Sequence, residues 1–150
     1  MSLNGNLLLY RRAGSGLSKR ELRSFAVQLR DRVAGGRPFL CLLTDDRELE
    51  RLNRMFLGQS YATDVLSFPS AGEEILGELA ISVERAKSQA EEYGHSSDDE
   101  LRILMLHGIL HLTGMNHQGD RGAMARAEKR WRIEFGLPGG LIERSKRNRA

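Results

Sequence analysis

Glu100-Leu101-Arg102-Ile103-Leu104-Met105-Leu106-His107-Gly108-Ile109-Leu110-His111-Leu112-Thr113-Gly114-Met115-Asn116-His117 is the stretch that organises this chain. From Ile103 to Leu112 it is apolar on every side except at its histidines. A helix without a polar face belongs in the middle of a domain, and other elements must be arranged around it. Three of the chain's four histidines fall in its last eleven residues. His107 and His111 are four apart, which on a helix puts their Cβ atoms about 5–6 Å from each other on one face. Gly114 is the residue type that ends a helix in a left-handed cap. The reversal would let His117 bring a third ring nitrogen to the same point. Three neutral imidazoles leave a tetrahedral ion one open position, the layout of a catalytic zinc site. Three unrelated histidines on a buried helix are the plain alternative. They would each need a separate polar partner, whereas one ion satisfies them together.

An open-position ion makes water more acidic and polarises a substrate oxygen, which suits hydrolysis of peptides, esters or phosphodiesters. The spacing His-x3-His-x2-Gly-x2-His is also that of the metzincin proteases. Those carry glutamate directly after the first histidine as general base. Here that position is Gly108, which cannot accept a proton, and this counts against peptidase chemistry.

The frame is that of an ordinary globular chain. Its 150 residues, 40% hydrophobic and 29% charged, suit one domain with a proper core. No apolar run reaches the length of a membrane span. The start, Met1-Ser2-Leu3-Asn4, lacks the basic-then-apolar order of a secretion signal. The single cysteine, Cys41, lies in the apolar run Phe39–Leu43. It leaves no internal disulfide to form, and together these features favour the cytoplasm and no disulfide-linked partner. Net charge is +3, which permits nucleic-acid binding without requiring it. Basic residues gather at Arg121, Arg126, Lys129, Arg130 and Arg132, and again in a tail over 144–150 that reads as disordered. The expected organisation is one domain over 1–143 followed by that tail.

Taken in order, Leu7-Leu8-Leu9-Tyr10 reads as a first strand. Ser18 opens a helix whose apolar stripe is Leu22, Phe25, Ala26, Leu29 and Val33, stopped by Gly35-Gly36. Phe39–Leu43 reads as a central strand covered on both faces. Asp45 caps a second helix, ended by Gly58. Thr63–Pro69 and Ile75–Ile81 read as an antiparallel hairpin. Ser82 caps a third helix ended by Gly94. Ser97 and Glu100 form a capping box for the histidine helix. His95, between two helices, reads as a surface turn residue. A last helix, about 120–135, points Ala123, Met124, Ala127, Trp131 and Phe135 inward. The order β-α-β-α-β-β-α-α-α implies an α+β fold: a small mixed four-stranded sheet, about five helices, and a metal site at the end of the central buried helix.

Three blocks, in this order and spacing, resemble the YbeY family of endoribonucleases. They are Thr63-Asp64-Val65-Leu66-Ser67-Phe68-Pro69, Leu76-Gly77-Glu78-Leu79-Ala80-Ile81-Ser82, and His107 to His117. The resemblance runs from about Asn53 to Trp131. It implies a zinc-type site at His107, His111 and His117, holding one divalent ion, with Zn2+ the expected metal. It implies single-strand-specific, metal-dependent RNA cleavage in 16S rRNA 3′-end maturation and ribosome quality control, with rRNA and ribosomal particles as partners and no membrane. It also implies a groove beside the metal walled by the Thr63–Phe68 strand. Thr63 and Asp64 are its candidate substrate contacts, Ser67 and Arg54 candidate catalytic residues, and Asn116 and Glu78 candidates to orient the ligands. The sequence departs from the family at two positions. Leu57 stands where the family usually has arginine, which leaves Arg54, three residues earlier, as the nearby cation. Asn116 stands where it usually has aspartate, keeping a hydrogen-bonding carbonyl but losing a charge. Two other readings stay open: a zinc-dependent hydrolase of another substrate, peptide included, and a non-catalytic ribosome-binding module whose metal only staples the last helix.

Overall fold

The computed structural model describes residues 7–59, 63–115 and 121–139. Among them, four strands form one sheet in the order β1-β2-β4-β3. They are β1 (Leu8–Tyr10), β2 (Phe39–Thr44), β3 (Val65–Pro69) and β4 (Gly77–Ser82). β1, β2 and β4 run parallel, and β3 lies antiparallel to β4 along one edge. Five α-helices accompany them: α1 (Lys19–Gln28), α2 (Asp46–Leu57), α3 (Val83–Tyr93), α4 (Ser97–Leu112) and α5 (Ala123–Glu134). The architecture is the expected α+β one. α1 continues into a wider turn, Leu29–Val33, so its stripe runs on to Val33 with a bulge in the helix.

The period of two in each strand divides the sheet into unequal faces. Phe39, Cys41, Leu43, Leu79 and Ile81 face the main core, where α1, α3, α4 and α5 gather. Leu66 and Ala80 face a smaller cluster under α2, with Leu49 at its centre and Leu42, Leu52 and Phe68 against it. β2 was expected to be covered on both faces. Its second face is only partly covered, because α2 reaches over the β3–β4 side and leaves Leu40 and Leu42 half-buried. A groove remains there, lined by Leu9, Leu40, Leu42, Leu52, Phe56 and Phe68.

α4 is the hub. Eleven of its sixteen residues are buried, and at about 1.5–3 kcal/mol for each large apolar side chain taken out of water it contributes much of the core's stabilisation. Its approach to β4 is set by glycines. A Cβ on Gly108 would stand 2.6 Å from Leu79 Cδ2, so any side chain at 108 requires Leu79 to move. Gly77 has φ +152°, and a Cβ there would meet the Phe68 carbonyl oxygen at 2.5 Å and Leu112 at 2.9 Å. These contacts place the C-terminal half of α4 against the β3–β4 hairpin.

The helix caps are mostly where sequence puts them. Asp45 accepts from Glu48 N, Ser82 from Arg85 N, and Gly58 and Gly94 take left-handed φ. The α4 cap differs by one residue. Ser96, not Ser97, is the N-cap and accepts from Asp99 N. Glu100 therefore turns inward and is fully buried. Its Oε1 lies 2.6 Å from His95 Nε2, and Tyr93 stacks on the His95 ring. His95 is thus not the surface residue its glycine and serine neighbours suggest: its side chain is 10% exposed.

Candidate metal centre

The histidine turn is closed by hydrogen bonds that the Gly114 expectation requires. Met115 N donates to the Leu110 carbonyl and Gly114 N to the His111 carbonyl, with Gly114 at φ +99°. This pair of bonds around a left-handed residue is the Schellman arrangement, and it redirects the chain straight after the second histidine. Thr113 Oγ1 donates to the same Leu110 carbonyl at 2.7 Å. The turn also lies at the C-terminal end of α4, where the helix dipole is negative and favours a cation.

His107 and His111 do converge. Their Nε2 atoms are 3.1 Å apart and their rings meet edge-to-face. Two nitrogens on one tetrahedral zinc, each bonded at about 2.0–2.1 Å, lie about 3.3–3.4 Å from each other. The observed separation is close to that edge. His107 Nδ1 lies 2.7 Å from Glu128 Oε2, and both side chains are almost wholly enclosed. With the carboxylate as acceptor, Nδ1 carries the proton and Nε2 keeps its lone pair toward His111. A histidine fixed through its far nitrogen by a carboxylate is the recurrent support for a metal ligand. The donor set and its support therefore fit a divalent ion of the zinc type. Among the described residues no group of three ligating side chains forms. His117, the expected third ligand, and Asn116 lie outside the described residues.

Glu128 is the residue that sequence reasoning missed. It lies on α5, on the inward face with Met124, in a helix otherwise rich in exposed charge. A signal was present: Glu128 is four residues after Met124 and three before Trp131, in register with the apolar stripe, where a carboxylate needs a partner. Glu78 is the carboxylate that the sequence offers for orienting a ligand. The pleat sends it to the opposite face of the sheet from α4, where it lines the α2-side groove.

The other candidates are placed as follows. Ser67 pairs with Leu79, the residue beneath Gly108, so it sits on the α4 face of the edge strand. Asp64 Oδ1 accepts from Val65 N, and its Oδ2 from Gln89 Nε2. Thr63 Oγ1 donates to Asp64 at 3.4 Å. These contacts tie the start of β3 to α3, and none of them involves a histidine. Arg54 is on the exposed side of α2, paired with Glu50 at 3.0 Å, next to the exposed Met55, Phe56 and Leu57. Cys41 is buried on β2, and burial pushes its thiol up to about 12, so it is an inert core group.

The family model described as Endoribonuclease YbeY matches residues 22–135. The chain belongs to the endoribonuclease YbeY family. An Endoribonuclease YbeY of Solibacter usitatus is 54% identical over 143 residues, covering 95% of this chain and 97% of the relative. One of Koribacter versatilis is 40% identical over 139 residues, covering 93% and 91%. The solution structure of TM1509 from Thermotoga maritima superposes with a TM-score of 0.58 at 29% identity, over 82% of this chain and 86% of that one. The matched span takes in all three sequence blocks, the histidine turn and Glu128. Gly108 also gains a structural reason. A glutamate there, as in metzincins, would have to pass through Leu79.

Proposed function

We propose that this chain is a metal-dependent endoribonuclease that cleaves single-stranded RNA, acting in 16S rRNA 3′-end maturation and ribosome quality control in the cytoplasm. The observation that carries the reading is the His107–His111 pair with Glu128 behind it, in a chain belonging to the endoribonuclease YbeY family. His107, His111 and His117 would hold one ion, with Zn2+ the expected metal. A divalent ion held there supplies Lewis acidity toward a phosphodiester oxygen and a more acidic water. The protein's own part is orientation. Glu128 holds the His107 ring in one tautomer, and the His111 ring meets it edge-to-face. Ser67, on the α4 face of the edge strand, offers a hydroxyl to an RNA strand lying along β3. Arg54 supplies a cation on the far side of that strand and contributes to phosphate binding in place of the arginine absent at Leu57. rRNA and ribosomal particles are the partners, and no helix among the described residues is long and apolar enough to cross a membrane.

Peptidase chemistry is disfavoured by Gly108, whose contact with Leu79 leaves no place for the metzincin base. The test pairs single-stranded and duplex RNA with an unstructured protein substrate, each with and without chelator. Chelator-sensitive cleavage of single-stranded RNA alone is expected. Peptide cleavage, or RNA cleavage that survives chelation and H111A, overturns the proposal. If the R54A chain cleaves RNA at the wild-type rate, Arg54 has no part in it.

A further inference from the structure

α5 has two faces with different chemistry. Its inner face carries Met124 and Glu128, and through Glu128 it reaches His107. Its outer face presents Arg126, Lys129, Arg130 and Ile133, all exposed. The first three are cations at i, i+3 and i+4, so they form one stripe. The Arg126 guanidinium donates to the Arg121 carbonyl at 3.0 Å. Among the described residues no carboxylate pairs with Arg126, Lys129 or Arg130, as with the exposed Arg20, Arg23 and Arg47, whereas Arg51, Arg54, Arg85 and Arg102 are ion-paired. Beside the stripe, the Arg130 guanidinium lies 5.0 Å from the centre of the Trp131 ring, and that of Arg32 lies 5.5 Å from it. Trp131 in turn stacks on Phe135.

We propose that this outer face of α5 is a docking track for the phosphate backbone of single-stranded RNA, outside the centre where cleavage occurs. This rests on the endoribonuclease reading for the nature of the partner. Four observations carry it. Among the described residues the stripe's cations have no carboxylate partner. Ring contact restrains the Arg130 guanidinium, so less freedom is lost when it binds a phosphate. Arg32 adds charge at the margin, moderated by Glu134 at 3.0 Å. The helix that bears the stripe is fixed to the histidine pair through Glu128, which sets the stripe about one helix diameter, 10–12 Å, from that pair.

The test is RNA affinity against salt, read by fluorescence anisotropy with a labelled single-stranded RNA, in chelator so that the probe stays intact. For single strands the log–log slope is about −0.7 per neutralised phosphate. The R126Q/K129Q/R130Q chain is expected to bind more weakly, with a slope shallower by about 2, the value for three lost phosphate contacts. R20Q/R23Q/R47Q removes the same charge from exposed positions elsewhere and is expected to keep a slope near wild type. All six side chains are exposed, and a thermal melt checks that both variants fold. Equal slopes for the two variants, or no change in either, overturn the proposal. A face that serves an acidic protein instead gives that second result. If the wild type cleaves no RNA, the function fails while the slopes still decide the docking track. If it cleaves and the slopes coincide, only the track fails.

Discussion

Replacing Glu128 with alanine strips His107 Nδ1 of its acceptor in a place that water barely reaches: the side chains are 11% and 3% exposed, and the bond is 2.7 Å. The buried N–H left unpaired costs about 1–3 kcal/mol. The ring is also freed to change tautomer or to turn, and either removes the lone pair aimed at His111. Loss of such a support usually lowers metal affinity by about 10–100-fold, which is about 1.4–2.8 kcal/mol. The first figure is read as lost folding stability of the metal-free chain and the second as lost metal affinity. E128Q keeps an oxygen acceptor in the same place and loses only the charge, so it should weaken metal binding less than E128A. Competition with a chelator of known affinity measures both, with near-ultraviolet circular dichroism to check the packing around Trp131. An E128A chain that is folded and holds metal within about twofold of wild type, against the 10-fold minimum expected, would refute the role assigned to Glu128.

G108A sets helix propensity, a gain of about 1 kcal/mol, against overpacking into Leu79, a cost of about 1–3 kcal/mol. A net loss of up to about 2 kcal/mol is expected from the urea midpoint at unchanged slope, and a stabilised variant would show that Leu79 gives way. H95A takes away a partner of the fully buried Glu100 carboxylate and should cost about 1–3 kcal/mol in the same assay, whereas a surface histidine would cost nothing. Glu48 is held below the ordinary carboxylate range, first by the bidentate Arg51 hydrogen bonds at 2.7 and 2.8 Å. Its contribution to stability is therefore complete above the unfolded carboxylate's range and is lost as pH falls through the lowered folded value. E48Q should flatten the acid limb of the stability profile and leave the alkaline limb unchanged.

The elements most legible in the sequence are those whose signal is local. α4 shows itself by an apolar run with no polar face, α2 and α3 by cap residues at both ends, and β3–β4 by a short loop between alternating segments. The placing of His107 and His111 on one face is equally local, since helix geometry brings their Cβ atoms together. What sequence does not show is which distant residue fills a nearby need. Glu128 reaches His107 from 21 positions away, and only the packing of α5 on α4 makes them neighbours. Glu78 lies in β4, whose Leu79 packs against α4, but the parity of the pleat sends its own side chain to the other face. His95 and Glu100 illustrate the same limit at short range. A one-residue shift of the cap turned a capping glutamate into a buried partner.

The central claim is that His107 and His111 share one divalent ion, and metal content measured by elemental mass spectrometry tests it most directly. Wild-type, H111A and H95A chains would be purified alike and dialysed against metal-free buffer. About one ion per chain is expected in the wild type and in H95A, as for a single three-histidine site, and its loss is expected in H111A. A folded H111A chain carrying the same metal as the wild type would contradict it.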